Sequence, residues 1–232
     1  TPYPRWPAPS PAESDHVAWL LGRHHGYTPE SEGGSGLPHY TPPSGGEGKF
    51  AGCGDVQDVL EATIRTILSC NTSGKNSRAA HQSMVAAFGW NDWPRVLAAP
   101  EGELEEALRC GGLAKTKARN IQLLLAQTKE RFGSLSLQHL HEASDAEVLE
   151  TLLSFKGCGP KVASCVALFC LGRPEMAVDA HIFRLSKALG WVPPNASRET
   201  TYYHLNERIP RHLRYPLHVL LIQHGKACPN CT

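Results

Sequence analysis

The chain has 232 residues, of which 41% are hydrophobic and 19% are charged, and this length is enough for one large or two small domains. No stretch approaches the roughly 20 unbroken apolar residues of a membrane span, which excludes an integral membrane protein, and we expect no membrane partner. The net charge of +1 excludes a histone-like polycation, so contact with nucleic acid would have to come from a local basic patch.

The first 50 residues contain half of the 18 prolines and eight of the 21 glycines, which predicts loop with one helix over Ser14 to His25. The segment 27–50 is predicted to be a long loop. The start at Thr1 has no charged, apolar run of a secretory signal, and we interpret it as a processing boundary.

Downstream of this loop, apolar residues recur at spacings of three and four, which predicts helices almost everywhere. The predicted helices lie near 56–70, 75–88, 101–109, 115–132, 145–154, 160–171, 179–189, 197–208 and 212–225. No segment shows the period-two alternation of a strand. The sequence therefore predicts an all-α protein with short connectors.

The eight cysteines lie in apolar, helix-like contexts without the dense spacing of a secreted disulfide scaffold, which favours a reducing compartment. They are Cys53, Cys70, Cys110, Cys158, Cys165, Cys170, Cys228 and Cys231. Only Cys228 and Cys231 form a close C-x-x-C pair, which is either half of a metal or cluster site or a surface pair.

The most informative stretch begins with a predicted hairpin between two helices. Gly157 and Gly159 flank a tight turn, and Pro160 suits the first position of the next helix. Glycines let a ligand approach the backbone, the amides at a helix start favour a phosphate, and Lys156 adds a positive charge. The alternative is a plain turn between helices that binds no ligand.

Two residues whose side chains can take part in catalysis follow this hairpin. Lys161 lies in the first turn of the second helix, where the helix field and partial burial are expected to lower its pKa and leave some free amine. Asp179, 18 residues later, is expected to stay ionised, accept a proton and stabilise positive charge on a sugar ring. Alone, each residue has a simpler explanation, as a solvated lysine and an ordinary N-cap.

Two segments resemble motifs of the endonuclease III branch of the helix-hairpin-helix DNA glycosylase superfamily, over roughly residues 55–225. F-K-G-C-G-P-K-V-A (155–163) is similar to L-x-G-x-G-x-K-x-A, and V-D-A-H-I-F-R (178–184) to V-D-T-H-x-x-R, with alanine in place of threonine at position 180. The resemblance implies that Lys161 is a Schiff-base nucleophile and Asp179 the catalytic carboxylate, with base release followed by β-elimination.

The resemblance also implies two helical lobes with double-stranded DNA bound in the cleft between them. One lobe is predicted over 55–173 and the other over 174–232, with the segment 1–54 packing on the second. His181 and Arg184 are expected either to orient Asp179 or to contact phosphate, or else simply to lie on a helix surface.

Two further segments resemble parts of the family that hold a duplex open. I-L-S-C-N-T-S-G-K-N-S (67–77) implies that Asn71 fills the space left by an extruded base, and the alternative interpretation of Asn71 is a helix C-terminal cap. R-C-G-G-L-A-K-T-K-A-R-N-I (109–121) implies that Leu113 wedges into the duplex. Around it, a positive patch is predicted from Arg109, Lys115, Lys117 and Arg119.

The C-terminus departs from the family, in which most members hold a [4Fe-4S] cluster with four cysteines. Only Cys228 and Cys231 follow H-G-K (224–226), and two thiolates do not satisfy a cluster that normally needs four. Either the sequence stops inside the motif or the lineage has lost the cluster. The compressed H-G-K-A-C-P-N-C favours loss, so we predict no cofactor in this chain.

The resemblance implies a monomeric DNA glycosylase and abasic-site lyase that excises damaged or modified pyrimidines. Leu153 stands near a position that is acidic in many relatives, which favours a more apolar base pocket and suggests thymine glycol. A nuclear location is inferred from a DNA substrate and a proline-rich, eukaryotic-looking start. The alternatives are a monofunctional mismatch or 5-methylcytosine glycosylase, and a DNA-binding module without chemistry.

Overall fold

The computed structural model describes residues 1–28, 36–43, 53–100 and 102–231, and these ranges contain α-helices and no β-strand. The helices are α1 (Pro11–His24), α2 (Val59–Ser69), α3 (Gly74–Phe88), α4 (Trp93–Ala98), α5 (Glu103–Ala107), α6 (Ala114–Phe132), α7 (Asp145–Ser154), α8 (Pro160–Phe169), α9 (Ala180–Ala188), α10 (Arg198–Arg208) and α11 (Arg211–Ala227). Single 3-10 turns lie at Cys53–Asp55, Arg109–Gly111 and Gln138–His141. The prediction of an all-α fold is confirmed. No helix in the described ranges has the length and apolar character needed to cross a membrane.

Most helices begin at polar residues that satisfy the free amides of the first turn. The Asp58 side chain accepts from the amide of Glu61 at the start of α2. Ser144 and Glu147 form a reciprocal capping box at the start of α7. These local signals explain why the predicted helix positions agree with the structure to within a few residues.

Two local features differ from the prediction. Helix α4 was not predicted, although the Asp92 side chain caps it and Pro94 lies in its first turn. The helix predicted near 101–109 is shorter, because α5 covers only Glu103–Ala107 and the chain then tightens into the 3-10 turn at Arg109–Gly111. The predicted loop over 27–50 lies mostly outside the described residues.

The chain divides into two compact units: the first unit comprises residues 1–41 and 174–232, and the second unit residues 42–173. In the second unit α2 is the central helix, since every residue from Val59 to Leu68 is buried. Helices α3, α6 and α8 pack against α2. Fully buried Phe88 and Phe155 fill the same core, which fixes the position of α8 and its lysine.

A buried polar network crosses the core of the second unit. Glu61 on α2 pairs with Arg65 one turn later, and its second oxygen accepts from the amide group of Asn91 at 2.9 Å. His81 on α3 lies 3.8 Å from the same carboxylate. Removing one partner from such a network costs about 3–5 kcal/mol because it leaves an uncompensated buried charge.

The first unit has its own core between α1, α9, α10 and α11. Trp191, Tyr202 and Leu217 are among its buried residues. Helix α11 contacts both α1 and α9. The packing of α11 therefore fixes the position of α9, whose N-terminal cap is Asp179.

Candidate active site

The predicted hairpin is present between α7 and α8. Gly157 has a φ of +89°, and a Cβ there would lie 2.5 Å from the Asn120 side chain, so glycine is required on two grounds. Gly159 is the N-cap of α8 with φ −78° and ψ −179°, and no side chain caps the helix there. The free amides in the first turn of α8 therefore lie beside the exposed backbone of the hairpin. The exposed side chain of Lys156 belongs to the same hairpin.

Lys161 lies in the first turn of α8 and is half-buried. Its Nζ donates to Oγ of Ser69 at 3.3 Å, and this hydroxyl donates to the carbonyl of Thr66 at 2.8 Å. Because α2 and α8 pack together, the end of α2 holds the lysine amine. The sequence motif indicated the lysine but gave no signal that Ser69 is its partner.

Lys117 was predicted to belong to the exposed positive patch, and the structure contradicts this. Lys117 is 3% exposed, and its Nζ donates to the carbonyls of Leu68 at 2.8 Å and Gly111 at 2.9 Å. Burial lowers the pKa of Lys117; Cys70 nearby raises it, and Lys161 lowers it further. The lysine therefore joins the end of α2 to the turn before α6 instead of facing solvent.

The two loops that Lys117 joins carry Asn71 and Leu113, the residues predicted to enter a duplex. Both are exposed, and both have the left-handed backbone that non-glycine residues seldom adopt, with φ of 51° and 52°. Leu113 is 56% exposed, so it has both an unfavourable backbone and a solvated apolar side chain. Asn71 follows the C-cap Cys70, where left-handed asparagine also terminates helices, so that interpretation stays open.

The remaining basic residues near Leu113 differ in their surroundings. Lys115 and Arg119 are exposed on α6. Arg109 is also exposed but pairs with Glu106, which partly neutralises it. The positive patch on this part of the second unit is therefore smaller than predicted. Lys115 and Arg119 are its exposed members outside the ion pair of Arg109 with Glu106.

Asp179 lies in the first unit as the N-cap of α9, and its Oδ1 accepts from the amide of Ile182 at 2.8 Å. His181 and Arg184 both contact the carbonyl of Gly225 on α11, each at 3.0 Å. These two contacts anchor α9 on α11. They differ from the alternative of a free helix surface, because both side chains are partly buried against α11, and a DNA contact of His181 stays a prediction.

The residues near the C-x-x-C pair do not fit a four-cysteine cluster. Cys228 and Cys231 are the only cysteines in the sequence ranges of the first unit, so these ranges offer two thiolates. One histidine nitrogen lies beside them: His224, Cys228 and Cys231 offer ligand atoms that lie within 4.8 Å of one another. Sequence reasoning did not identify His224 as a possible ligand.

The family model that matches this chain describes a HhH-GPD superfamily base excision DNA repair protein, and it covers residues 64–211. An Arabidopsis thaliana protein described as a candidate DNA glycosylase is 44% identical over 177 residues, which is 76% of this chain. The chain spans only 60% of the length of that relative. The Arabidopsis thaliana DNA glycosylase/AP lyase ROS1 is 31% identical over 61% of this chain and 12% of its own length.

Solved structures show the same fold. A non-covalent endonuclease III–DNA complex matches with a TM-score of 0.62 and 26% identity, over 73% of this chain and 74% of the other. A trapped covalent endonuclease III–DNA intermediate matches with a TM-score of 0.66 over 93% of this chain and 92% of the other. Its identity is 22%, so this second likeness concerns the fold alone.

Proposed function

The chain belongs to the HhH-GPD superfamily of base excision DNA repair proteins, on its endonuclease III-like side, and we propose that it is a bifunctional DNA glycosylase and abasic-site lyase. The observation that carries the proposal is the half-buried amine of Lys161, held by Ser69 at the start of the helix that follows an uncapped glycine hairpin. A solvated surface lysine would have no such fixed partner.

In the proposed reaction, the neutral amine of Lys161 attacks C1′ of the target nucleotide. The bond between C1′ and the base breaks, and the base leaves with the electron pair of that bond and gains a proton. The bond between C1′ and the ring oxygen O4′ then breaks, O4′ takes up a proton, and a protonated imine remains between C1′ and Nζ. Loss of a proton from C2′ then expels the 3′ phosphate, which nicks the strand by β-elimination.

Asp179 has two proposed tasks in this reaction. Its carboxylate stabilises the positive charge that develops on the sugar as the base leaves, and it accepts the proton that the attacking amine loses. Oδ1 already accepts from the amide of Ile182, so the side chain is oriented before DNA binds. We propose that Oδ2 is the oxygen directed toward the nucleotide.

The proposed DNA contacts use the exposed features of the second unit. The backbone at Gly157 and Gly159 binds a phosphate at the start of α8, with Lys156 as a positive charge beside it. Leu113 enters the base stack and Asn71 bonds to the base left without a partner. The left-handed backbone of both residues supports this role, because such strain is concentrated at functional positions.

The proposed substrate is double-stranded DNA with a damaged or modified pyrimidine. The suggestion of thymine glycol rests on Leu153, an apolar side chain that is 36% exposed and stands near a position that is acidic in many relatives. Action on nuclear DNA as a monomer completes the proposal. A fluorescent fusion of the chain that stays outside the nucleus, or a dimer by sedimentation, would contradict these two points.

Borohydride trapping tests the lyase chemistry, since borohydride reduces an imine to a stable covalent adduct. Duplexes carrying an abasic site, thymine glycol or a thymine–guanine mismatch are incubated with the protein and with the variants Lys161→Gln and Lys115→Met. We expect an adduct that disappears in Lys161→Gln and persists in Lys115→Met. Base release without an adduct would instead indicate a monofunctional glycosylase, and tight binding with neither would indicate a binding module.

A further inference from the structure

Five metal-binding side chains come together in the first unit, where the last residues of α1 approach the end of α11. His224, Cys228 and Cys231 offer ligand atoms within 4.8 Å of one another, and so do His24, His25 and His224. His224 belongs to both groups and is the residue that the two groups share. The histidines of α1 and the cysteines after α11 are about 200 residues apart in the sequence.

The local backbone explains how the two cysteines meet. The amide of Cys228 donates to the carbonyl of His224 at 2.9 Å, which ends α11, and the amide of Cys231 donates to the carbonyl of Cys228 at 3.1 Å. This turn brings both sulfurs to the same side as the His224 ring. Both cysteines are free and partly buried, and neither forms a disulfide.

Two histidine nitrogens in the cluster are in an unfavourable state without a ligand. Nε2 of His25 and Nδ1 of His224 are both inaccessible to solvent, and neither has a hydrogen-bond partner. A buried polar atom without a partner costs about 1–3 kcal/mol. The rings themselves are close, with centroids of His25 and His224 5.5 Å apart and those of His24 and His224 5.4 Å apart.

We propose that His224, Cys228 and Cys231 bind one zinc ion, and that His25, whose ligand atom lies within 4.8 Å of a nitrogen of His224, moves in as the fourth, tetrahedral ligand when the metal binds. Two thiolates and two imidazoles are a donor set of structural zinc sites, and the C-x-x-C spacing is typical of them. His25 is chosen over His24 as the fourth ligand because its buried nitrogen lacks a partner, whereas His24 is exposed. The same residues do not fit a four-cysteine iron–sulfur cluster.

This site would connect the metal to the position of Asp179 without contacting DNA. Zinc joins the end of α1 to the end of α11, and the residue after His224 is Gly225, whose carbonyl accepts from His181 and Arg184 of α9. Fixing α11 therefore fixes the helix that Asp179 caps. The metal has a structural role here and takes no part in the reaction. A result that contradicts the zinc site therefore leaves the lyase proposal untouched, and the reverse also holds.

Metal analysis of the purified chain tests the site. The protein is produced with zinc and iron supplied, purified with reductant, and its zinc, iron and acid-labile sulfide are measured beside those of Cys228→Ser, His224→Ala, His25→Ala and His24→Ala. We expect one zinc ion per chain, lost in the first three variants and retained in His24→Ala. The matched controls are Cys110→Ser and His212→Ala, which replace exposed residues of the same types outside the cluster.

A spectroscopic measurement on the wild-type chain keeps the proposal testable if the variants fail to fold. Zinc is removed with a chelator and replaced by cobalt, whose visible absorption bands report tetrahedral geometry and thiolate ligation. Tetrahedral bands with a thiolate charge-transfer band support the site. Iron with sulfide, a disulfide between Cys228 and Cys231, octahedral cobalt bands, or wild-type protein that binds neither metal would overturn it.

Discussion

Lys117 and Lys115 are two residues apart on α6 and have opposite environments. Lys117 is buried with two carbonyl partners, whereas Lys115 is exposed. The sequence did contain a signal for this difference. Lys117 is four residues before the buried Ile121, so helical spacing places it on the core face, but a cluster of basic residues near a DNA-binding motif was interpreted as one patch.

The variant Lys117→Met is expected to destabilise the fold by about 1–3 kcal/mol, because the carbonyls of Leu68 and Gly111 lose their donor. Urea unfolding followed by tryptophan fluorescence measures this. Lys115→Met is the matched control: its stability should stay within about 0.5 kcal/mol of the wild type. Its DNA affinity should fall instead, with a weaker dependence on salt. Equal stability of the two variants would contradict the assigned role of Lys117.

Asp179 has both a structural and a proposed chemical role, and two substitutions separate them. Asparagine still caps a helix, so Asp179→Asn should leave stability nearly unchanged while abolishing base release, because the negative charge is gone. Asp179→Ala should lose activity and also about 1 kcal/mol of stability. Thermal unfolding and single-turnover base release measure the two effects. An active Asp179→Asn enzyme would rule out the proposed charge stabilisation.

At the scale of elements, the hairpin between α7 and α8 contains two glycines with different requirements. Gly157→Ala is expected to cost about 1–3 kcal/mol, since it combines a positive φ with a clash against Asn120. A Cβ on Gly159 would meet nothing within 4 Å, so Gly159→Ala should fold normally. It should nevertheless weaken DNA binding several-fold, because the added methyl keeps a phosphate from the backbone.

Calorimetry and fluorescence anisotropy with a duplex test this pair of variants. If Gly159→Ala binds DNA as tightly as the wild type, the hairpin is only a turn between helices, as the simpler interpretation holds. If Gly157→Ala is as stable as the wild type, the contact with Asn120 does not restrict this position.

Helix periodicity and capping residues predicted the long elements well, since α2, α3 and α6 to α11 all occur close to their expected positions. Helix α4 was not predicted, because six residues are too few to establish a period and only Asp92 and Pro94 marked its start.

Contacts between helices were not predictable from these local patterns. Nothing in the local sequence indicates that Ser69 meets Lys161, because the packing of α2 on α8 creates that contact.

At the scale of the whole molecule, the net charge of +1 does not reveal that exposed cations such as Lys115 and Lys156 lie near the predicted DNA-contacting residues. The two proposed reacting groups belong to different units, Lys161 to the second and Asp179 to the first. Motif resemblance identified both residues from sequence. The group of His24, His25 and His224 was not predictable, because its members become neighbours only through the packing of α1 on α11.

Acid sensitivity is a further property of the folded chain. Burial, and secondarily the charge of Arg65, lowers the pKa of His81 to about 4, while the nearby Glu61 carboxylate is already paired with Arg65. The unfolded chain binds this proton more readily than the folded one. The stabilising effect of a neutral His81 is therefore complete above about pH 6.5 and is lost as pH falls toward 4.

We expect the wild type to lose about 2–3 kcal/mol more stability than His81→Gln between about pH 7 and about pH 4. Urea unfolding at both pH values gives the difference, and the other titrating groups cancel because both proteins contain them. Identical pH dependence in the two proteins would show that His81 does not titrate as its burial implies.

The most direct measurement is mass spectrometry of the adduct formed with a thymine glycol duplex in the presence of borohydride. The adduct is digested with protease and nuclease, and the peptide that carries the reduced sugar is sequenced. We expect the modification on Nζ of Lys161. A modification on another lysine or on the N-terminal amine, or base release with no modified peptide, would contradict the proposed nucleophile.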